Sequence, residues 1–116
     1  MDLVVNELQG RAGTAVVSFT VDNLDAANVK SFRTAIESVA TTHDTLLLDM
    51  GRLAFVDSSG LGALLSCLRT MKDKKGQLVL FGMTKPVRAL FELVRMHRIF
   101  SIHTSREEAL AELAAA

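Results

Sequence analysis

The sequence predicts an α/β fold: a mainly parallel sheet of four to five strands, opened by an antiparallel N-terminal hairpin, with about four helices in one domain over residues 1–116. Three observations carry this prediction. Two short apolar runs, at 45–50 and 77–82, are too short for buried helices and suit strands covered on both faces. The segments between and after them repeat apolar residues at spacings of three and four, which gives a helix one buried face. The chain opens differently, with two β-rich runs joined by a glycine-bearing turn. Strands separated by helices call for right-handed crossovers and hence parallel pairing.

Taken in order, residues 3–8 read as the first strand and Gln9 to Gly13 as the hairpin turn. Thr14 to Val21 is rich in β-branched residues and reads as the second strand. Asp22-Asn23-Leu24-Asp25 is a turn, with Asp25 placed to cap the next helix. That helix buries Val29, Phe32, Ile36 and Val39 and closes in the polar Thr41-Thr42-His43-Asp44. The strand at 45–50 leads into Phe55-Val56-Asp57-Ser58-Ser59-Gly60-Leu61-Gly62-Ala63-Leu64-Leu65. A helix from Ser58 to about Lys72 follows, with Leu61, Leu64, Leu65, Leu68 and Met71 on its apolar face. The lysines and glycine of Asp73-Lys74-Lys75-Gly76 suit its C-terminal end. After the strand at 77–82, Pro86 falls in the first turn of a helix facing inward with Val87, Leu90, Phe91 and Val94. Ile99 to Ile102 reads as a last short strand, and Ser105 with Glu108 has capping-box spacing for a final helix through Leu113.

Composition narrows the function classes. Thirteen basic and thirteen acidic residues cancel, so no electrostatic footprint for nucleic acid or an anionic membrane is present. No apolar run approaches the roughly 20 residues that span a bilayer. The first residues, Met1-Asp2-Leu3-Val4-Val5-Asn6-Glu7, carry an early acid and no basic stretch, unlike a signal peptide. A lone Cys67 excludes an internal disulfide framework and suits a reducing compartment, so a cytoplasmic location is expected.

Catalytic readings find little support. Gly60-Leu61-Gly62 begins like a dinucleotide fingerprint but lacks its third small residue, and neither a P-loop nor a nucleophile elbow is present. A hydrolase built on Ser58 or Ser59 would need His43, His97 or His103 as base, and each reads as a solvated or capping histidine. Cys67 lies about 100° from the centre of its helix's apolar stripe, a flank position. No cluster has metal-ligand spacing, and no cofactor is expected.

The central motif is left, with two readings. Asp57 and the serines sit where a strand ends and a helix begins, so they can accept bonds from the free N–H groups of its first turn. Yet two hydroxyls and two glycines within five residues exceed what one cap needs, and glycine weakens a helix by about 1 kcal/mol relative to alanine. Small residues there let another backbone or a phosphate approach closely. On the face away from the leucines, Gly62, Ala63, Ser66 and Thr70 form a row of small side chains suited to a partner helix.

Over nearly its whole length the chain resembles the STAS domain, in particular the bacterial anti-sigma factor antagonists. The likeness rests on the leading hairpin, Leu24-Asp25, Phe55 to Gly62, Gly76-Gln77-Leu78-Val79-Leu80 and Pro86-Val87-Arg88-Ala89-Leu90-Phe91. It departs at Val21 to Asp25, where the family commonly has a glycine and an acid before the Leu-Asp. The resemblance implies a partner switch. Such an antagonist, unphosphorylated, binds an anti-sigma factor that is also a serine kinase with a histidine-kinase-like ATP-binding fold, and frees its client. Phosphorylation of the first serine after the aspartate, here Ser58 with Ser59 as second choice, breaks the complex, and a PP2C-type phosphatase reverses it. Asp25 and Asp57 match acidic positions beside the site. The partner-binding set is then Asp25, Asp57, Ser58, Ser59, Gly60, Gly62, Ala63 and Ser66. A STAS accessory subunit of a transport or signalling complex, never phosphorylated, is the alternative the resemblance implies.

Overall fold

A computed structural model describes residues 1–115. In chain order the elements are β1 (Leu3–Glu7), β2 (Thr14–Phe19), β3 (Asn23–Leu24), α1 (Val29–Ala40), β4 (Thr45–Asp49), β5 (Phe55–Val56) and α2 (Ser58–Asp73). They continue with β6 (Gln77–Phe81), α3 (Lys85–Leu93), a 3-10 turn at Met96–Arg98, β7 (Ser101–His103) and α4 (Arg106–Ala115). β1 and β2 form the antiparallel hairpin, with Leu3 facing Phe19 and Glu7 facing Ala15. Every later partner in the main sheet is parallel, and the strand order is β1-β2-β4-β6-β7. The predicted α/β fold with its mainly parallel sheet is therefore the observed one.

Strand alternation divides the core. Ala15, Val17 and Phe19, Leu46 and Leu48, and Leu78 and Leu80 point to the face covered by α1, α2 and α3. There Phe32, Ile36, Leu64, Leu68, Val87 and Phe91 meet them, and the Phe19 and Phe32 rings stack at 5.4 Å. Val16, Leu47, Val79 and Phe81 point the other way, against Ala109 and Leu113 of α4. The predicted capping box is present: Glu108 N–H donates to Ser105 Oγ at 3.2 Å, while the Glu108 carboxylate accepts from Thr104.

Four local expectations are corrected. The last strand begins at Ser101, because the amides of Ile99 and Phe100 both donate to the Met96 carbonyl and close the 3-10 turn. Val94 lies beyond the end of α3 and is exposed, whereas Val87 and Phe91 are buried as expected. At the end of α2 the left-handed residue is Lys75, φ 61°, and a Cβ on Gly76 would lie 2.3 Å from the Asp44 carbonyl oxygen. The most consequential correction is His43, which is buried rather than solvated, although its bond to the Val39 carbonyl in the last turn of α1 is the capping role that the sequence allows.

His43 ties β1 to the turn between α1 and β4. Its Nδ1 lies 2.9 Å from the Val39 carbonyl and its Nε2 2.6 Å from Glu7 Oε1. Two acceptors on two ring nitrogens favour the doubly protonated ring. The pKa is raised, the Val39 carbonyl contributing most and Glu7 adding to it, against burial and Lys74, which pull it down. A folded pKa above the unfolded value near 6.5 adds stability that is whole below that value and is lost as pH rises through the folded one. The denaturant midpoint is therefore expected to fall as pH rises above about 6.5, and His43→Gln to flatten that slope. An unchanged slope in the variant would reject this assignment.

Candidate functional site

The site is built where two loops, about thirty residues apart in sequence, meet above the C-terminal ends of the strands. β3 pairs with β5 in a separate two-stranded sheet, Asn23 facing Phe55 and Leu24 facing Val56. The sequence reads residues 22–25 as a simple turn, and this pairing is what that reading misses. Two residues carry no detectable period. The Asp22 carbonyl accepts from the Ala54 amide at 2.7 Å, and the Leu24 carbonyl accepts from the Asp57 amide at 3.2 Å.

Asp57 is the N-cap of α2, as its position in the sequence suggests. Its Oδ1 accepts from the Gly60 amide at 2.9 Å. Its Oδ2 accepts from the Ala26 amide at 3.1 Å and so fastens the Asp25 loop to the start of the helix. Asp25 organises its own loop, accepting from the Ala27 amide at 2.9 Å and from Asn23 Nδ2 at 2.7 Å. It thus caps the turn that enters α1 and not, as the sequence suggests, the helix itself, whose N-cap is Asn28, three residues on. The Asp25 turn and the Asp57-Ser58 step are held together. Asp57→Ala removes both bonds, and should cost about 1–2 kcal/mol of stability. Hydrogen exchange should also quicken at the Ala26 and Gly60 amides. Unaltered protection at Ala26 would show that Asp57 does not hold the loop.

Ser58 is the first residue of α2 and is exposed, while Ser59 is half-buried. The structure separates the remaining small residues into two groups. Gly60 is buried, and a Cβ there would lie 2.5 Å from the Leu24 carbonyl oxygen and 2.8 Å from Val56 Cγ1. The backbone that approaches this glycine is the chain's own. Of the row of small residues only Ala63 is buried, in the α1–α2 seam beside Cys67, while Gly62 and Ser66 are half-exposed and Thr70 is exposed. Cys67, on the flank of the leucine stripe, is packed and buried there, and burial pushes its thiol up to about 11. Ser66 and Thr70 line an open groove of about 300 Å³ between the two helices. Arg33 of α1 donates to Ser66 Oγ there at 3.0 Å.

Phe55 escapes the sequence reading. Its neighbour Val56 points inward, so the ring points outward, 55% exposed and three positions before Ser58. The pairwise alternation of β5 is the only signal that could have found it. Two of the three histidines considered as a base are engaged elsewhere, His43 with Val39 and Glu7 and His103 with Glu112, and His97 is exposed in the 3-10 turn at Met96–Arg98. Among the described residues no group of three His, Cys, Asp or Glu side chains could hold a metal ion, and no helix is long and apolar enough to cross a membrane.

Comparison with known proteins gives the same outline. The sequence matches the STAS domain over residues 7–109. It is 25% identical over 97 residues to an anti-sigma-B factor antagonist of Listeria monocytogenes, covering 83% of this chain and 85% of that protein. The fold is similar to the anti-sigma factor antagonist SpoIIAA in its unphosphorylated form, with a TM-score of 0.77, 24% identity, and 99% and 98% of the two chains covered. The phosphorylated form of the Bacillus protein is similar too, with a TM-score of 0.70 at 22% identity, covering 97% and 99%. Part of the murine anion transporter Solute Carrier 26 family member A9 also matches, at a TM-score of 0.74 and 26% identity. That likeness spans 93% of this chain but 19% of the transporter.

Proposed function

The chain belongs to the STAS domain family, and we propose that it is an anti-sigma factor antagonist that works by partner switching at Ser58. Anti-sigma factor antagonists are regulatory binding proteins, and the relatives named above support that class for this chain. In the unphosphorylated state the Asp25–Asp57 surface binds an anti-sigma factor with serine-kinase activity and a histidine-kinase-like ATP-binding fold. Binding frees that protein's client in the cytoplasm. The kinase then phosphorylates Ser58, the complex separates, and a PP2C-type phosphatase restores the hydroxyl.

One observation carries the reading. Ser58 is exposed at the first position of a helix whose cap is already filled by Asp57. Its hydroxyl is therefore not needed to satisfy the helix. It lies where a kinase can reach it and where a partner packed on the Asp25–Asp57 surface would cover it. Phe55, three positions earlier, adds an exposed aromatic ring, a side chain that buries a large area when a partner covers it.

Phosphosite mapping by mass spectrometry, on protein taken from its own cells with Ser58→Ala alongside, tests this. A single phosphate on Ser58, absent from the variant, is expected. A phosphate on Ser59 would move the switch by one residue. No phosphate under any growth condition would favour the second reading, an accessory STAS subunit of a larger complex, which the likeness to part of an anion transporter supports.

A further inference from the structure

We propose that Arg33 receives the phosphate placed on Ser58, leaving Ser66 to bind it. This rests on Ser58 being the modified residue. Ser58, Gly62 and Ser66 follow each other at intervals of four, so they form one ridge of α2 with about 5–6 Å between neighbours. Arg33 lies across that ridge. Its Nη1 donates to Ser66 Oγ at 3.0 Å, and its Nη2 is 3.9 Å from where a Gly62 Cβ would stand. The guanidinium thus lies level with the two turns nearest Ser58, and Gly62 places no side chain between them.

The present partner of Arg33 is weak. A neutral hydroxyl, its proton already donated to the Gly62 carbonyl, offers a single uncharged oxygen to a charged group with five donors. A phosphate dianion offers three oxygens in the geometry a guanidinium matches with two parallel bonds. One helical turn is about 5.4 Å, and the phosphorus already stands beyond the serine oxygen, so a rotamer change of Arg33 closes the gap.

The surrounding charges set the direction. Asp57 and Asp25 are held on backbone amides and repel a phosphate from the loop side. Glu37, one turn along α1, lines the groove beyond Ser66. Lys30, one turn earlier, lines a different hollow with Met1, Ser31 and Thr34. Of these side chains, Arg33 is the cation that lies against the Ser58 ridge. Modification would then be felt in two places at once: on the Asp25–Asp57 surface, and in the α1–α2 groove, whose rim loses the Arg33–Ser66 bond.

The test uses the full chain with phosphoserine installed at position 58 during synthesis, so that no kinase is needed. The phosphorus-31 resonance is followed against pH. With Arg33 present, the second ionisation should fall below that of the Arg33→Ala protein by roughly half a unit or more, since an adjacent opposite charge favours the dianion. Lys30→Ala should titrate like the parent, and Arg33→Lys should fall between. Identical titration of the Arg33→Ala and parent phosphoproteins would overturn the pairing. That result is separate from whether Ser58 is phosphorylated in cells, which the mapping experiment decides. Arg33 is exposed, and the melting temperature of each variant confirms that it is folded.

Discussion

Gly60→Ala will lower the stability of this protein by about 1–3 kcal/mol, while Gly62→Ala will raise it by about 0.5–1 kcal/mol. The two glycines are two residues apart on one helix, and helix propensity favours alanine equally at both. Their surroundings decide the sign. A Cβ on Gly60 would meet the Leu24 carbonyl oxygen at 2.5 Å and Val56 Cγ1 at 2.8 Å, both in the two-stranded sheet that carries the site. Backbone cannot give way there without parting β3 from α2. A Cβ on Gly62 meets nothing nearer than 3.9 Å, the end of the flexible Arg33 side chain. Urea denaturation of the two variants measures the difference through the midpoint at unchanged slope. Two shifts of the same sign would show that the approach of β3 to Gly60 is looser than described.

Phosphorylation of Ser58 will weaken the partner complex at least a hundredfold and leave the melting temperature of the free protein within a few degrees of the parent. A hundredfold corresponds to about 2.8 kcal/mol, within what a like-charge contact costs in an interface. The free protein has no comparable penalty. Ser58 is exposed, and the start of α2 favours an anion by roughly 0.3–1 kcal/mol. Repulsion from Asp57 and Asp25 works against this, so the balance in the isolated domain is small. Ser58→Ala should keep the partner's affinity and refuse the phosphate. Calorimetric titration of the partner and thermal melting of the same phosphoprotein separate the two quantities. A phosphoprotein that melts far below the parent would mean that the switch acts by unfolding.

The residues that the sequence determines without help are those whose surroundings are local. Short apolar runs and apolar spacings of three and four along the chain set the strands, the helices and hence the crossovers. Ser105 and Glu108 announce their cap three residues apart. Asp57 before a helix is a cap by position, and that leaves Ser58 outside at the first turn. Tertiary structure decided what depends on segments far apart in the chain. The bond from the Ala26 amide to Asp57 spans thirty-one residues, and it is what fastens the Asp25 loop to the start of α2. Gly60 owes its necessity to Leu24, His43 its burial and bond to Glu7 on β1, and Ala63 and Cys67 their cover to α1. Each of these rests on how closely two crossovers bring their backbones together. That distance is set by the packing of the whole sheet against its helices, and no window of consecutive residues records it.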